Sequence, residues 1–148
     1  MSAYDPKRTE QVGIDLAAAN HTGRELELML AGKKPLSMFY GEVGELPNEG
    51  VIPEARFALF VERGQFVRGE TTLELDYHPR WKRNVQVKYV FFALVEQAWR
   101  IPAITLVLRN SLKVRRPDET TERLMSGLLG YSDAEIDAQC KMLFKGAR

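Results

Sequence analysis

One cysteine and two histidines are all the thiol and imidazole that these 148 residues offer to a metal ion. Cys140 alone excludes an internal disulfide and any multi-cysteine zinc or iron–sulfur site. Its solitary state fits a protein kept in a reducing cytoplasm. Neither His21 nor His78 stands at metal-ligand spacing from the other or from Cys140, so no metal site is expected. Long apolar runs are lacking too: Tyr89 to Val95 is among the longest, far short of the ~18 residues that suggest a membrane span. Met1 to Glu10 mixes charge with polarity and has no apolar stretch of the kind a secretory signal needs, so none is expected. No repeat, low-complexity tract or Pro/Gly/Ser linker divides the chain. Gly32-Lys33-Lys34 lacks both the upstream glycine and the following Ser/Thr of a phosphate-binding loop, and no cofactor is expected.

The composition itself is that of a globular protein, with 45% hydrophobic and 28% charged residues. At roughly 100–200 residues per domain, residues 1–148 read as a single domain. The first ~10–20 residues are expected to be poorly ordered, because chain ends seldom contribute to a core.

Local patterns give the elements. Thr22 and Glu25 have the spacing of a capping box, opening a short helix over Gly23 to Ala31 that Gly32 ends in the left-handed conformation. Leu36 to Tyr40, between Pro35 and Gly41, reads as a strand, and the glycine- and glutamate-rich stretch Gly41 to Gly50 as an exposed loop. A helix follows Pro53 and stops at Gly64. Phe66 to Tyr77 and Val85 to Leu94 then alternate as strands, joined by a polar turn from His78 to Asn84. From Tyr89 the second strand becomes uniformly apolar, as a strand does when both of its faces are covered.

Arg100 to Leu112 fits either a helix begun at Pro102 or a third strand, and the four-residue spacing of Ile104, Leu108 and Leu112 favours the helix. Pro117 to Leu129 and Ser132 to Phe144 are two final helices, the second opened by a Ser132/Glu135 capping box. The predicted class is α+β: a small antiparallel sheet of three or four strands covered by helices, with a C-terminal helical hairpin.

Charge of neither sign dominates, since the net charge is +1 and the pI about 7.8. Its distribution is uneven. Between Asp76 and Arg116 nine cations (Arg80, Lys82, Arg83, Lys88, Arg100, Arg109, Lys113, Arg115 and Arg116) face only Asp76 and Glu96. Such a segment concentrates anions locally even in a near-neutral protein. Its densest part is His78-Pro79-Arg80-Trp81-Lys82-Arg83, where cations meet phosphates or carboxylates and an indole stacks on a base or anchors a protein partner. Arg115 and Arg116 extend this candidate binding site if the following loop lies at the same end. The competing explanation is a solvated loop whose Trp81 folds back on the sheet.

Other constellations are weaker. Ser126, Gly130 and Ile136 match the spacing of a helix-turn-helix, but Asp133, Glu135 and Asp137 on its second helix would repel phosphates. Glu42, Glu45, Glu49 and Glu54 match no cation-binding motif. Cys140, on the apolar side of its helix, reads as a buried thiol.

The expectation is therefore a small cytoplasmic binding or regulatory protein. It would engage an acidic partner, protein or nucleic acid, through His78, Arg80, Trp81, Lys82, Arg83, Arg115 and Arg116. Surplus apolar residues around Leu106 to Leu108 would let it pair with a second copy. The alternative is a small enzyme or ligand carrier with a pocket around Tyr77 and His78, joined by Glu74 or Tyr40.

Overall fold

The computed structural model describes residues 21–78, 83–111 and 118–144. The element order is α1 (Glu25–Leu30), β1 (Leu36–Glu42), α2 (Glu54–Glu62), β2 (Phe66–His78), β3 (Arg83–Leu94), α3 (Arg100–Ser111), α4 (Glu119–Leu128) and α5 (Asp133–Phe144). Single 3-10 turns at Val43–Glu45 and Val95–Gln97 follow β1 and β3. This is the expected order of elements and the expected class: an antiparallel three-stranded sheet, ordered β1-β3-β2, with five helices among the described residues.

β3 is the centre of the sheet, and its alternation builds two cores. Val85, Val87, Tyr89, Phe91 and Ala93 face Leu36, Ile104, Leu108 and Met125, so α3 and α4 cover this side. Val90 and Phe92 face Met29, Ile52, Phe57 and Phe66, so α1, α2 and the loop before α2 cover the other. Phe57 stacks on Phe92 with ring centroids 4.3 Å apart. The apolar run of β3 is thus the sequence of a strand with helices on both faces.

α2 is fastened to its face by charge as well. Arg68 on β2 donates to both carboxylate oxygens of Glu54, at 2.7 and 2.8 Å, and to Glu70 at 3.0 Å, while Lys88 reaches Glu70 at 3.1 Å. The bond to Glu54 holds the Arg68 guanidinium even more firmly protonated than usual. Glu54 also lies in the first turn of α2, where the helix dipole favours a negative charge.

Two local expectations are corrected. Arg24, not Thr22, is the N-cap of α1, and no side chain caps that helix. Gly23 takes a φ of +82°, which breaks the continuity a capping box needs, and the chain turns instead through Arg24 N–H bonded to the His21 carbonyl at 2.9 Å. The connection between β2 and β3 is also shorter than read. The ladder runs through Glu74–Gln86 and Leu75–Val85 and, after a register shift, ends at His78–Arg83, so His78 and Arg83 belong to strands, not to a turn. Polar residues do not end the ladder there because Asn84 and Gln86 alternate outward while Val85 stays buried.

The C-terminal half follows its sequence signals. Arg100–Ser111 is a helix, with Ile104 and Leu108 buried four residues apart. Asp118 caps α4 by accepting from the Thr121 N–H at 2.7 Å. The Ser132/Glu135 box caps α5 reciprocally at 3.2 Å in each direction. α4 and α5 form a hairpin closed by Arg123 on Asp137 at 2.6 Å. Asp137 is thereby spent within the hairpin.

Truncating Phe92, which packs into the centre of one core, is expected to lower the unfolding free energy by about 3–5 kcal/mol. Leu106→Ser, on the exposed side of α3, is expected to change it by less than ~0.5 kcal/mol. Urea unfolding of the two variants beside the parent chain checks both.

Candidate functional site

The strands that flank the basic aromatic segment, β2 and β3, form a two-stranded ribbon beyond the last pair of β1. β1 pairs with β3 only from Leu36–Ala93 to Glu42–Val87, so among the described residues no strand pairs with 83–86 of β3 on that side. At ~3.3 Å per residue the β2–β3 ribbon runs on for about 13 Å beyond the end of β1. One face of this extension remains anchored, because Val85 is buried in the core beneath α3 and Leu75 packs against it. The other face carries Glu74, Asn84 and Gln86, all exposed.

Of the residues expected to bind, Arg80, Trp81, Lys82, Arg115 and Arg116 lie outside the described residues. His78 closes the β2 backbone, and Arg83 opens β3 opposite it. Arg83 is already engaged: its guanidinium donates to Glu42 Oε1 at 2.6 Å. Arg109, from the same basic segment, reaches Thr71 Oγ1 at 3.4 Å.

Of the residues weighed for a pocket, the side chains of Tyr77 and His78 lie outside the described ones, and Tyr40 and Glu74 do not converge. Tyr40 pairs with Tyr89 and stacks on it, on the α3 side of the sheet. Glu74 pairs with Gln86 and points to the opposite side. The acidic loop disperses similarly: Glu42 holds Arg83, Glu54 holds Arg68, and Glu49 accepts from the Ala55 N–H at 2.9 Å. Among the described residues no cluster of three or more His, Cys, Asp or Glu could hold a metal ion. Burial pushes the Cys140 thiol up, towards an inert protonated state.

A second constellation was not legible in the sequence. Lys34, between α1 and β1, is only 3% exposed. Its Nζ donates to the Leu129 carbonyl at 2.6 Å and lies 2.8 Å from His21 Nδ1. The His21 ring stacks on Tyr131, with centroids 4.0 Å apart and planes 9° from parallel, and Lys34 Nζ lies 5.4 Å above the Tyr131 ring centre. Gly130, at φ +92°, lets the α4–α5 turn come this close, since a Cβ there would lie 2.4 Å from Pro35 Cδ.

Two carboxylate oxygens, Glu25 Oε1 and Glu135 Oε2, are buried with no hydrogen-bond partner among the described residues. Both glutamates act on Lys34 through space, but burial outweighs them and brings the Lys34 amine from 10.5 down to about 7. Burial, then Lys34 and Arg24, brings His21 from 6.5 down to about 4. An amine that titrates near neutrality beside an imidazole and two carboxylates is an arrangement found at functional sites.

In the sequence Lys33 and Lys34 are equivalent cations after a helix-ending glycine. The only hint was Pro35, which fixes the chain between Lys34 and the buried Leu36.

No family model, curated protein or solved structure matches this chain.

Linkage gives the sign of a pH effect. In the unfolded chain Lys34 holds its proton up to about 10.5, whereas in the fold it loses it above about 7. Between these values the unfolded state binds more protons, so Lys34 makes the fold more stable as pH rises, by up to ~1.4 kcal/mol per pH unit. Below the folded value its contribution is constant. Denaturant titrations from pH 7 to 10 are expected to show this slope as the difference between the parent chain and Lys34→Met.

Proposed function

We propose that this is a small cytoplasmic binding or regulatory protein that captures an anionic macromolecule, a nucleic acid or an acidic protein surface, with the end of its β2–β3 ribbon. The observation that carries the reading is the ribbon itself. β2 and β3 pair again at His78 and Arg83 after a register shift, beyond the last backbone pair of β1, on a base anchored by Val85 and tied to β1 by the Arg83–Glu42 ion pair. The four residues joining them, Pro79-Arg80-Trp81-Lys82, are two cations and an indole at the end of that ribbon. A rigid base lowers the entropy lost when such a tip is immobilised on a partner.

Charge refines the reading. Because Arg83 is paired with Glu42, the proposal rests on the charges of Arg80 and Lys82, with Arg115 and Arg116 as further contributors. Trp99 and Leu106, 56% and 61% exposed at the start and on the outer side of α3, are the surface through which a second copy would associate.

The test is a salt-dependent titration against single-stranded DNA, duplex DNA, RNA and an acidic polypeptide. Binding to at least one of these is expected at low salt. For nucleic acid the affinity falls with a slope of roughly 0.9 per phosphate contact on duplex DNA. Reversing Arg80, Lys82 and Arg83 together is expected to abolish binding without unfolding the domain. Arg83→Glu alone is expected to cost less than Arg80→Glu, since it surrenders a cation that Glu42 already neutralises. Absence of binding to all four probes at low salt sinks the proposal.

A further inference from the structure

We infer that Lys34, His21 and Tyr131 form a proton-sensitive latch between the entry to α1 and the α4–α5 turn, which acid opens by protonating His21. The inference goes beyond the ribbon and does not rest on it.

The latch joins segments distant in sequence. His21 precedes α1, Lys34 follows it, and Leu129 and Tyr131 flank the turn between α4 and α5. The argument begins with the 2.8 Å contact between Lys34 Nζ and His21 Nδ1. While Lys34 is charged its ammonium can only donate, so Nδ1 presents its lone pair and the His21 proton is on Nε2. Adding a proton to His21 places an N–H on Nδ1 itself. Two donors and two positive charges then oppose one another across the same 2.8 Å, and the contact cannot persist.

The groups facing this contact set where the charge goes. Arg24, at the start of α1, adds to the positive field on His21. Glu25 on α1 and Glu135 on α5 supply the negative field on Lys34. Tyr131 offers its ring face, and Leu129 its carbonyl. The buried oxygens of Glu25 and Glu135, unpartnered among the described residues and already acting on Lys34 through space, are acceptors to which a displaced cation turns. The latch therefore has a second arrangement available, in which each cation turns to a carboxylate and the His21–Tyr131 stack separates.

The size of the effect follows from the two values for His21. An imidazole that protonates at about 4 in the closed latch and at 6.5 when released shifts the closed-to-open ratio by about 300-fold across that range. Lys34 acts in the same direction at higher pH, because its proton is also held more loosely in the closed form.

The experiment is a proton NMR titration of the full chain from pH 8 to 4, with the two histidines assigned through His78→Gln. The His21 ring is expected to titrate far below 6.5, and the Tyr131 and Lys34 amide signals to follow the same curve. His21→Phe keeps a flat ring on Tyr131 but has no acceptor and no proton to gain, so that transition is expected to vanish from the Tyr131 signal. Changes that do not involve the His21 proton survive in this variant and are separated by it. Lys34→Met is expected to return the His21 midpoint towards 6.5. An ordinary His21 midpoint in the parent chain overturns the inference, and so does a Tyr131 transition that persists unchanged in His21→Phe. Should either variant fail to fold, the parent titration decides alone.

Discussion

Everything in this fold depends on β3 being apolar on both faces. A strand with one wet face would need helices on one side only, but Val90, Phe91, Phe92 and Ala93 are all almost wholly buried. The chain meets that demand by dividing its helices. α1 and α2, from the first half, cover one face, and α3 and α4, from the second, cover the other. The two cores meet across the sheet, above all at β3, because adjacent residues of that strand belong to opposite sides. A cavity at Phe92 therefore loosens α2, while one at Phe91 loosens α3.

The covering helices bring a second constraint, concerning where α4 ends. A helix leaves its last carbonyls without intrahelical partners, and these must be satisfied where the end is buried. Here two cations from elsewhere in the chain do so. Arg100, at the start of α3, donates to the Gly127 and Leu128 carbonyls at 3.2 and 3.1 Å, and Lys34 donates to Leu129 at 2.6 Å. Positive charge at a helix C-terminus is favoured by the dipole. The two solutions differ in consequence. Arg100 keeps part of its surface in contact with Trp99 and carries a charge that cannot be shed at accessible pH, so it is a fixed cap. Lys34 is buried and can lose its proton near neutrality, which makes the same structural job dependent on pH.

This contrast explains what the sequence could convey. Periodicity carried the strands, the two-sided burial of β3 and the helix at Arg100–Ser111, because each rests on residues a few positions apart. Caps within one helix were legible for the same reason, as at Ser132 and Glu135. The Thr22/Glu25 box failed because Gly23 permits a left-handed turn that no spacing rule detects. Lys34 was invisible because its meaning comes from Leu129, 95 residues away. For the ribbon, the sequence indicated the cations but not that Glu42, from a different strand, neutralises Arg83. Local patterns reveal elements, and they are silent on which charges the tertiary fold consumes.

The ribbon end and the latch belong to opposite ends of the same strand. Leu36, two residues after Lys34, pairs with Ala93, whereas the ribbon ends at Arg83. At ~3.3 Å per residue those positions on β3 are about 33 Å apart, far beyond the Debye length of ~8 Å at physiological salt. Charge at one end is therefore screened from the other, and a change at Lys34 can reach the ribbon only mechanically, along β3. That route is stiff: Phe91 and Phe92 lock the strand between two helical layers, and close-packed side chains do not yield continuously. The physical separation thus favours two independent devices on one scaffold, with β3 holding them apart.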